Sequence, residues 1–417
     1  MNMREMKDSG IEWIGTIPKD WYCCKQKYVI QLINGRAYSD NEFEEDGKYR
    51  ILRVGNLFSN PTWYTSSLEL PDDKYCDNGD LLYSWSMSYA PVIWHGEKVI
   101  YHYHIWKTRL SIDIDKMFAY YYLISLTDAL RAEIHETTMG FITMGIMNDS
   151  YIAFPELSEQ KRIAGYLDDR CSEFESLVSD IQSQIEVLEE YKRSVITEAV
   201  TKGLDPDVEM RDSGIVWVGD IPAHWITHPL YFYFGERKNK NALGLETNLL
   251  SLSYGKIIRK DINSNGGLLP ESFNTYNIIE KDDIIIRPTD LQNDKRSLRT
   301  GIAREHGIIT SAYIAMKAIK AVNPEYFHYL LHAYDVMKVF YNMGNGVRQG
   351  LNFSEFSRLM VFEPTIEEQN AIVSYLKEKC DEIDLAIAEK KQQIETIEEY
   401  KKSLIFEYVT GKKEVQA

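Results

Sequence analysis

Apolar residues recur every seven positions in two long, proline-free stretches that are otherwise charged and polar. The first stretch, Leu157–Gly203, recurs without a gap 209 residues later, so that Glu159 corresponds to Glu368. Such a heptad pattern predicts two helices of about 65 Å each, and their apolar stripes require a partner. We expect the two copies to pair as an antiparallel coiled coil and to act as a spacer. The predicted seam positions are Leu167, Phe174, Ile181, Leu188, Val195, Leu376, Ile383, Ile397 and Leu404, with Lys192 and Lys401 at further seam positions.

The ends of these stretches carry the residue types that start and stop helices. Ser158 and Thr365 are predicted N-caps, because a hydroxyl accepts from the free backbone N–H groups of the first turn. Gly203 and Gly411 stand where a left-handed residue ends a helix.

A second repeat precedes each globular part of the chain. Glu5–Trp21 and Glu209–Trp225 share the pattern Asp-Ser-Gly, Trp, Gly-x-Ile-Pro and Trp at the same spacing. The prolines and glycines are typical of turns, and we expect Trp21 and Trp225 to anchor these segments in a core. The chain is thus predicted to be one unit used twice.

Between anchor and helix, the two globular segments diverge in sequence. Both alternate short β-branched or aromatic runs with turn residues, which predicts strands, and each also contains one longer stretch that is predicted to be helical. Asn78–Ser84 and Lys281–Arg287 are each predicted to be an acidic turn entering an apolar strand. Further strands are predicted at Val99–Leu110 and Gly307–Met316, and helices at Phe118–Leu130 and Pro324–Tyr341.

The predicted fold is α+β: two similar domains separated by two long antiparallel coiled-coil helices, related by a pseudo-two-fold internal repeat. Two such domains with different surfaces suit two different half-sites on a long ligand such as duplex DNA. The predicted boundaries are 1–155 for the first recognition domain, 156–203 for the central spacer helix, 204–363 for a linker and the second recognition domain, 364–411 for the C-terminal spacer helix and 412–417 for a tail.

Charge and composition narrow the function classes. The net charge is −16, yet residues 226–363 hold 17 Lys and Arg against 14 Asp and Glu, and a local basic surface is what DNA binding requires. The sequence has no apolar run long enough for a membrane span and no secretory signal at its start. Five cysteines without a CxxC pair favour a reduced, cytoplasmic setting, and no His/Cys cluster has metal-ligand spacing.

The ordered pair of Trp-x-Gly-x-Ile-Pro-x-x-Trp anchors, the Glu-Gln at each helix start and the Glu-Glu-Tyr-Lys at each helix end resemble the specificity subunit of type I restriction–modification systems. One difference is a single proline at the Phe154–Gln160 junction, where two are common. The resemblance implies a cytoplasmic, non-catalytic subunit in which each domain reads half of a bipartite DNA sequence and the helices set the gap.

The resemblance also implies partners. Two methylation subunits would dock on the helices, and a motor–nuclease restriction subunit would join the complex. S-adenosylmethionine, ATP and magnesium are expected in those subunits, and no cofactor is expected in this chain.

Two other functions stay open. A coiled-coil scaffold that binds only proteins would explain the helices and the charge, but it leaves two large divergent domains unexplained. A DNA methyltransferase or nuclease with its own active site is a further alternative. Asn60-Pro61-Thr62-Trp63 and Asn323-Pro324-Glu325-Tyr326 lack the second proline of the methyltransferase loop, and no Walker loop is present.

Candidate DNA contacts in the second domain follow the predicted strand that ends at Arg287. Arginine suits guanine edges, glutamine and asparagine suit adenine, and lysine and threonine suit phosphates. The candidates are Arg287, Thr289, Gln292, Asn293, Lys295, Arg296, Arg299, Arg304, Arg348 and Gln349.

In the first domain, a polar and aromatic segment follows the equivalent predicted strand. His102 and His104 would lie on one face if their segment is a strand. The candidate DNA contacts here are Arg36, Trp85, Ser86, His102, His104 and Lys107.

Overall fold

The computed structural model describes residues 4–86, 88–136, 141–262, 270, 272–289, 291, 298–342 and 350–415. The chain forms two compact units. Unit 1 comprises residues 1–181 and 391–417, and unit 2 comprises residues 182–390. Both long helices therefore contribute a portion to each unit.

Unit 1 combines short strands with three helices and the first part of a long fourth helix. Its helices are α1 (Val54–Phe58), α2 (Lys116–Glu136), α3 (Met144–Asp149) and α4 (Leu157–Lys202), of which residues up to 181 belong to the unit. Its strands are β1 (Met6–Asp8), β2 (Thr16–Pro18), β3 (Tyr22–Lys25), β4 (Ile30–Asn34), β5 (Tyr49–Leu52), β6 (Tyr64–Ser66), β7 (Tyr75–Cys76), β8 (Leu81–Ser84), β9 (Ala90–Ile93), β10 (Val99–Tyr101), β11 (Ile105–Leu110) and β12 (Tyr151–Phe154).

Unit 2 repeats this composition. Its helices are α5 (Pro324–Val336), α6 (Phe353–Phe356) and α7 (Ile366–Val409), of which residues up to 390 belong to the unit. Its strands are β13 (Met210–Asp212), β14 (Asp220–Pro222), β15 (Ile226–Pro229), β16 (Phe234–Glu236), β17 (Leu250–Ser253), β18 (Lys256–Arg259), β19 (Asn277–Ile279), β20 (Ile284–Ile286), β21 (Thr300–Ile302), β22 (Gly307–Ile309), β23 (Ile314–Ala318) and β24 (Met360–Glu363).

The two units share one strand topology although their sequences diverge. The main sheet has the order β4-β11-β8-β9 in unit 1 and β16-β23-β20-β21 in unit 2. A second sheet, β6-β5-β10-β7, corresponds to the pairs β17-β18 and β19-β22, which a parallel bridge between Leu249 and Ile308 connects. In both units an antiparallel pair, β3-β12 or β15-β24, precedes the long helix. The internal repeat thus extends through the globular parts.

Each unit contains an antiparallel pairing of the two long helices. In unit 1, Tyr166 packs on Tyr408 and Phe174 on Tyr400, with ring centroids 4.6 and 5.5 Å apart. In unit 2, Lys192 Nζ lies 2.7 Å from the Asp384 carboxylate, and Lys390 bonds Gln184. Of the predicted seam residues, Leu167, Ile181, Val195, Leu376, Ile383 and Leu404 are buried, and Phe174, Leu188 and Ile397 are half-buried.

The ends of the long helices agree with three of the four sequence predictions. Thr365 caps α7, since its Oγ1 accepts from the Glu368 N–H at 3.3 Å while its own N–H donates to the Glu368 carboxylate. Gly203 and Gly411 adopt φ values of +78° and +69° just beyond the helices. The prediction for Ser158 is wrong, because α4 begins one residue earlier, at Leu157, and Ser158 Oγ donates to the Glu156 carboxylate instead.

The tryptophan anchors are core residues, as predicted. Trp21 and Trp225 are each 1% exposed. Their indole N–H groups donate to Glu159 Oε1 at 3.4 Å and to Glu368 Oε1 at 3.3 Å, which are equivalent positions of the repeat. A buried indole N–H needs such an acceptor, so the glutamate at each helix start satisfies the anchor of its own unit.

The glutamine that follows each of these glutamates joins the long helix to the domain helix. Gln160 Oε1 accepts from the backbone N–H of Asp115 at 2.8 Å, just before α2. Gln369 Oε1 accepts from the backbone N–H of Asn323 at 2.8 Å, just before α5. Both glutamines are buried, so the repeated Glu-Gln pair ties three elements together in each unit.

Two strand predictions are corrected by the structure. Val99–Leu110 and Gly307–Met316 are each two strands, β10 and β11 or β22 and β23, separated by a connection. Because the two strands of each pair lie in different sheets, the chain changes sheet where the sequence suggested one continuous strand. The helix predictions hold, with α2 longer than expected and α5 ending at Val336.

Candidate DNA interface

The two segments predicted to contact DNA occupy the same place in the shared topology. In unit 1, residues 85–89 connect the paired strands β8 and β9. In unit 2, residues 287–299 connect β20 and β21, the corresponding pair. Equivalent strands therefore carry connections of different length and chemistry.

In unit 1, this connection meets the segment between β10 and β11. Trp85 donates its backbone N–H to the His104 carbonyl at 3.2 Å and its indole N–H to the Tyr103 carbonyl at 2.7 Å. Its ring lies edge-on to His104 at 5.1 Å and stacks on Trp106 at 5.7 Å. The ring centroids of His102 and His104 lie 4.7 Å apart. The structure thus brings together three of the predicted residues, although the histidines lie on a turn and not on a strand.

The two histidines are neutral near pH 7. Burial, together with His104 and Arg53, lowers the pKa of His102 to about 4, and burial and Arg53 also lower the pKa of His104. His102 Nδ1 accepts from the His104 backbone N–H at 3.4 Å, so the ring proton belongs on Nε2. His102 therefore keeps a ring N–H to donate, which suits contact with the acceptors of base edges.

A close backbone approach positions this turn. Gly35 lies against the carbonyls of Tyr101 and His102, and a Cβ on Gly35 would stand 2.4 Å from their oxygens. The next residue, Arg36, forms an isolated parallel β-bridge with His102, and its guanidinium donates to the Glu42 carboxylate. Arg36 therefore lies beside the predicted surface, but Glu42 already neutralises its charge.

The remaining unit 1 candidates differ in their availability. Ser86 is half-buried next to Trp85, and its carbonyl accepts from Ser84. Lys107 is directed into the unit: its Nζ lies 2.6 Å from Asp80 Oδ2 and 3.1 Å from the Tyr75 carbonyl. The prediction for Lys107 is therefore corrected to a structural role, because its charge and donors are used within the domain.

The prediction that Arg299 contacts DNA is also corrected. This side chain is 0% exposed. Its Nε donates to the Tyr341 hydroxyl at 3.0 Å, an NH group bonds the Thr289 carbonyl, and its backbone N–H donates to the buried carboxylate of Asp335. Tyr341 donates to the same carboxylate at 3.0 Å. Arg299 thus links both ends of the β20–β21 connection to Asp335 in α5 and to Tyr341 beyond this helix.

Other unit 2 candidates have mixed placements. Thr289 is exposed and Arg287 is half-buried, with its N–H on the Arg299 carbonyl at 2.8 Å. The Arg304 guanidinium lies 2.6 Å from the Glu325 carboxylate, so its charge is neutralised within unit 2. Gln292, Asn293, Lys295, Arg296, Arg348 and Gln349 lie outside the described residues.

The sequence interpretation missed several exposed residues of the same surfaces. Arg53 follows β5, and its guanidinium lies 5.1 Å from the Tyr64 ring centre. Tyr103 lies between the two histidines, with its ring 4.4 and 4.1 Å from theirs. Tyr254 lies in the turn after β17 and is 85% exposed. A Tyr-Gly pair between two short apolar runs was the available signal for the last, whereas nothing in the sequence distinguishes Arg53 from other arginines.

Comparison with known proteins finds similarity to one family along the chain. The family described as "Type I restriction modification DNA specificity domain" matches residues 18–187. The putative type I restriction enzyme MjaX specificity subunit of Methanocaldococcus jannaschii is 24% identical over 422 residues, covering 96% of this chain and 95% of that protein. The type I restriction enzyme EcoBI specificity subunit of Escherichia coli is 23% identical over 402 residues, covering 89% of this chain and 81% of that protein.

A solved structure supports the fold. A chain from work on complex assembly and conformational transition of the type I R-M system superposes with a TM-score of 0.66 at 12% identity, over 94% of this chain and 98% of that one. Among the described residues, no helix is long and apolar enough to cross a membrane.

Proposed function

We propose that the chain is the specificity subunit of a type I restriction–modification system and that it reads a bipartite DNA sequence through two separate surfaces. One surface is formed in unit 1 around Trp85 and residues 102–104, and the other in unit 2 at the connection between β20 and β21. Each surface would recognise one half of the target.

The main observation behind this proposal is that the two units share the same sheets but differ in the connections between the strands. Equivalent pairs of strands support both surfaces, in sheets of the same order. One presents tryptophan, tyrosine and neutral histidines, and the other carries a longer connection that is rich in polar residues. Because sequence is read by the hydrogen-bonding and apolar groups that reach the base edges, different residues on one scaffold predict two different half-sites.

We further propose that the chain itself carries out no chemistry. In this proposal two methylation subunits dock on the paired helices, and a motor–nuclease subunit completes the complex. S-adenosylmethionine, ATP and magnesium would be bound by those partners, and the complex would work in the cytoplasm. The two recognition domains and the two helices would keep the boundaries given by the sequence, at residues 155, 203, 363 and 411.

The test is selection from a random-sequence duplex pool by the purified chain co-expressed with its methylation subunits, at two salt concentrations. Two short half-sites at a fixed spacing are expected. Binding that falls steeply with salt but enriches no sequence would leave only phosphate contact and reject sequence recognition. Lack of DNA binding by the complex would instead favour the protein-scaffold function.

A further inference from the structure

Each unit places a second strand connection beside the recognition surface. In unit 1, β5 and β10 are parallel, with Leu52 opposite Tyr101, so both strands leave the sheet at the same edge. The His102 N–H donates to the Leu52 carbonyl at 2.9 Å, which holds the two exits together. The residue that follows β5 is Arg53, and the segment that follows β10 is the histidine turn.

The corresponding strands of unit 2 have the same arrangement. The bridge between Leu249 and Ile308 is parallel, so β17 and β22 run in one direction. Tyr254 and Gly255 form the turn after β17, and a Cβ on Gly255 would lie 3.0 Å from Leu298 Cδ1. The turn therefore touches the base of the β20–β21 connection, the predicted reading segment of unit 2.

Arg53 is held in place by its neighbours, and no carboxylate in the described part of unit 1 neutralises its charge. Its backbone N–H donates to Asn56 Oδ1 at 3.1 Å, and Asn56 in turn donates to the carbonyls of Asn60 and Thr62. Its guanidinium is exposed and lies over the Tyr64 ring. In the described part of unit 1, Arg53 has no ion pair with a carboxylate, whereas Arg36 and Arg50 are paired. A guanidinium fixed by an aromatic face keeps its planar set of donors for an external acceptor.

Tyr254 is difficult to explain by folding alone. Ser253 pairs with Lys256, so residues 254 and 255 form a two-residue hairpin loop, with φ values of +47° and +77°. Such loops favour Asn-Gly, because a bulky residue is strained at positive φ. Tyr254 adopts this conformation although the residue is 85% exposed and so gains little from packing. Strained positions that contribute no packing are concentrated at functional sites.

From these placements we infer that the connections after β5 and β17 form a second DNA-contacting element in each unit, through Arg53 in unit 1 and Tyr254 in unit 2. The inference rests on the proposed DNA-recognition function. The ligand is the duplex itself: the guanidinium and the phenol O–H both donate to its acceptors, which are phosphate oxygens or base edges. Each residue would therefore act on the half-site of its own unit.

The experiment repeats the duplex selection with the co-expressed complex carrying Arg53→Ala or Tyr254→Asn. We expect Arg53→Ala to weaken binding about 10- to 100-fold through one half-site, and Tyr254→Asn to weaken it through the other. Altered base preference would identify a base-edge contact. A loss that is equal for all base sequences at that half-site, with a smaller salt slope, would identify a phosphate contact.

Matched variants separate contact from folding. Arg109→Ala removes another exposed arginine of unit 1, near the far end of β11 from the histidine turn, and should leave both half-sites unchanged. Tyr254→Asn should retain or raise the melting temperature, because asparagine suits the turn, so its weaker binding would not come from unfolding. In each variant the half-site read by the other unit is an internal folding control.

The outcomes distinguish the two levels of inference. If the unmutated complex enriches two half-sites while Arg53→Ala and Tyr254→Asn bind the same sequences with unchanged affinity, the second element is rejected and the recognition function stands. If the unmutated complex enriches no sequence, the recognition function itself fails. Loss of both half-sites in either variant would also contradict the assignment of one element to each unit.

Discussion

Replacing Arg299 tests whether this residue supports the unit 2 surface or contacts DNA. Arg299→Met removes a buried guanidinium that bonds Tyr341 and the Thr289 carbonyl and stabilises the buried carboxylate of Asp335. Removing one member of a buried charged network typically costs about 3–5 kcal/mol, because the remaining charge is left without compensation. Burial already raises the pKa of Asp335, which agrees with a carboxylate that depends on these partners.

The assay combines denaturant unfolding with hydrogen exchange, since a chain of two units need not unfold in one step. We expect faster exchange in the strands and helices of unit 2 and unchanged exchange in the globular part of unit 1. The double variant Arg299→Met with Asp335→Asn should recover part of the loss, because it removes the uncompensated charge.

A DNA-binding measurement tests the opposite interpretation, in which Arg299 contacts DNA directly. An arginine that contacts a phosphate would, when removed, lower the salt slope of binding by about 0.9 without affecting stability. If Arg299→Met is as stable as the unmutated chain and shows this smaller slope, then the burial argument is refuted and the direct contact is restored.

Three further predictions follow from the structure. Lys401→Glu should lower the free energy of unfolding of unit 1 by about 1 kcal/mol, because Lys401 Nζ lies 2.8 Å from the Glu175 carboxylate in the helix pairing. Adding Glu175→Lys should restore most of this free energy in denaturant unfolding. If the double variant is as unstable as Lys401→Glu alone, the ion pair does not stabilise the helices. Burial lowers the pKa of His328 to about 3 and of His332 to about 4. The unfolded chain binds protons at these histidines below about pH 6.5, whereas the folded chain does not. Unit 2 should therefore lose up to about 3 kcal/mol per histidine as pH falls from about 6.5 towards 4, and His328→Phe should flatten this dependence in melting experiments. Gly35→Ala places a Cβ 2.4 Å from two backbone carbonyl oxygens, so it should weaken the half-site read by unit 1 and lower the melting temperature, whereas an unchanged half-site would exclude a role for this contact.

The repeated part of the fold was predictable because its physical requirements are local. A heptad stripe without proline specifies a long paired helix, and a glycine beyond it specifies the end, as Gly203 and Gly411 confirm. The anchor tryptophans were expected in the core and are buried there. What the sequence did not reveal was why Glu159 and Gln160 recur, since their roles depend on bonds to residues more than 40 positions away.

The shared topology of the globular parts was not predictable from their divergent segments. The strands are short, and β10 passes to β11 through a turn whose histidines and aromatic residue have the composition of a strand. A periodicity argument cannot detect a change of sheet within such a run. The pairing of β5 with β10 is parallel and distant in sequence, so it depends on tertiary packing and not on local preference.

The candidate interface was also predictable only in part. The sequence placed the two proposed reading segments at equivalent positions, because an acidic turn entering an apolar strand precedes each of them. It could not rank the basic residues within or beside them, since Arg299 differs from its neighbours only in burial. Lys107 likewise differs from an available lysine only through Asp80, which lies 27 positions earlier in the chain.

Buried polar groups explain why one part of each unit repeats and the other does not. The Trp21 and Trp225 indoles and the Gln160 and Gln369 amides are buried donors, and a buried donor without its acceptor costs about 1–3 kcal/mol. Such positions can change only together with their partners, so both copies retain the same pairs. Exposed residues at the strand connections carry no such constraint, and the two units differ there in length and in chemistry. A protein that must keep one geometry while changing the sequence it reads requires this separation, and the structure places it at the boundary between the sheets and their connections.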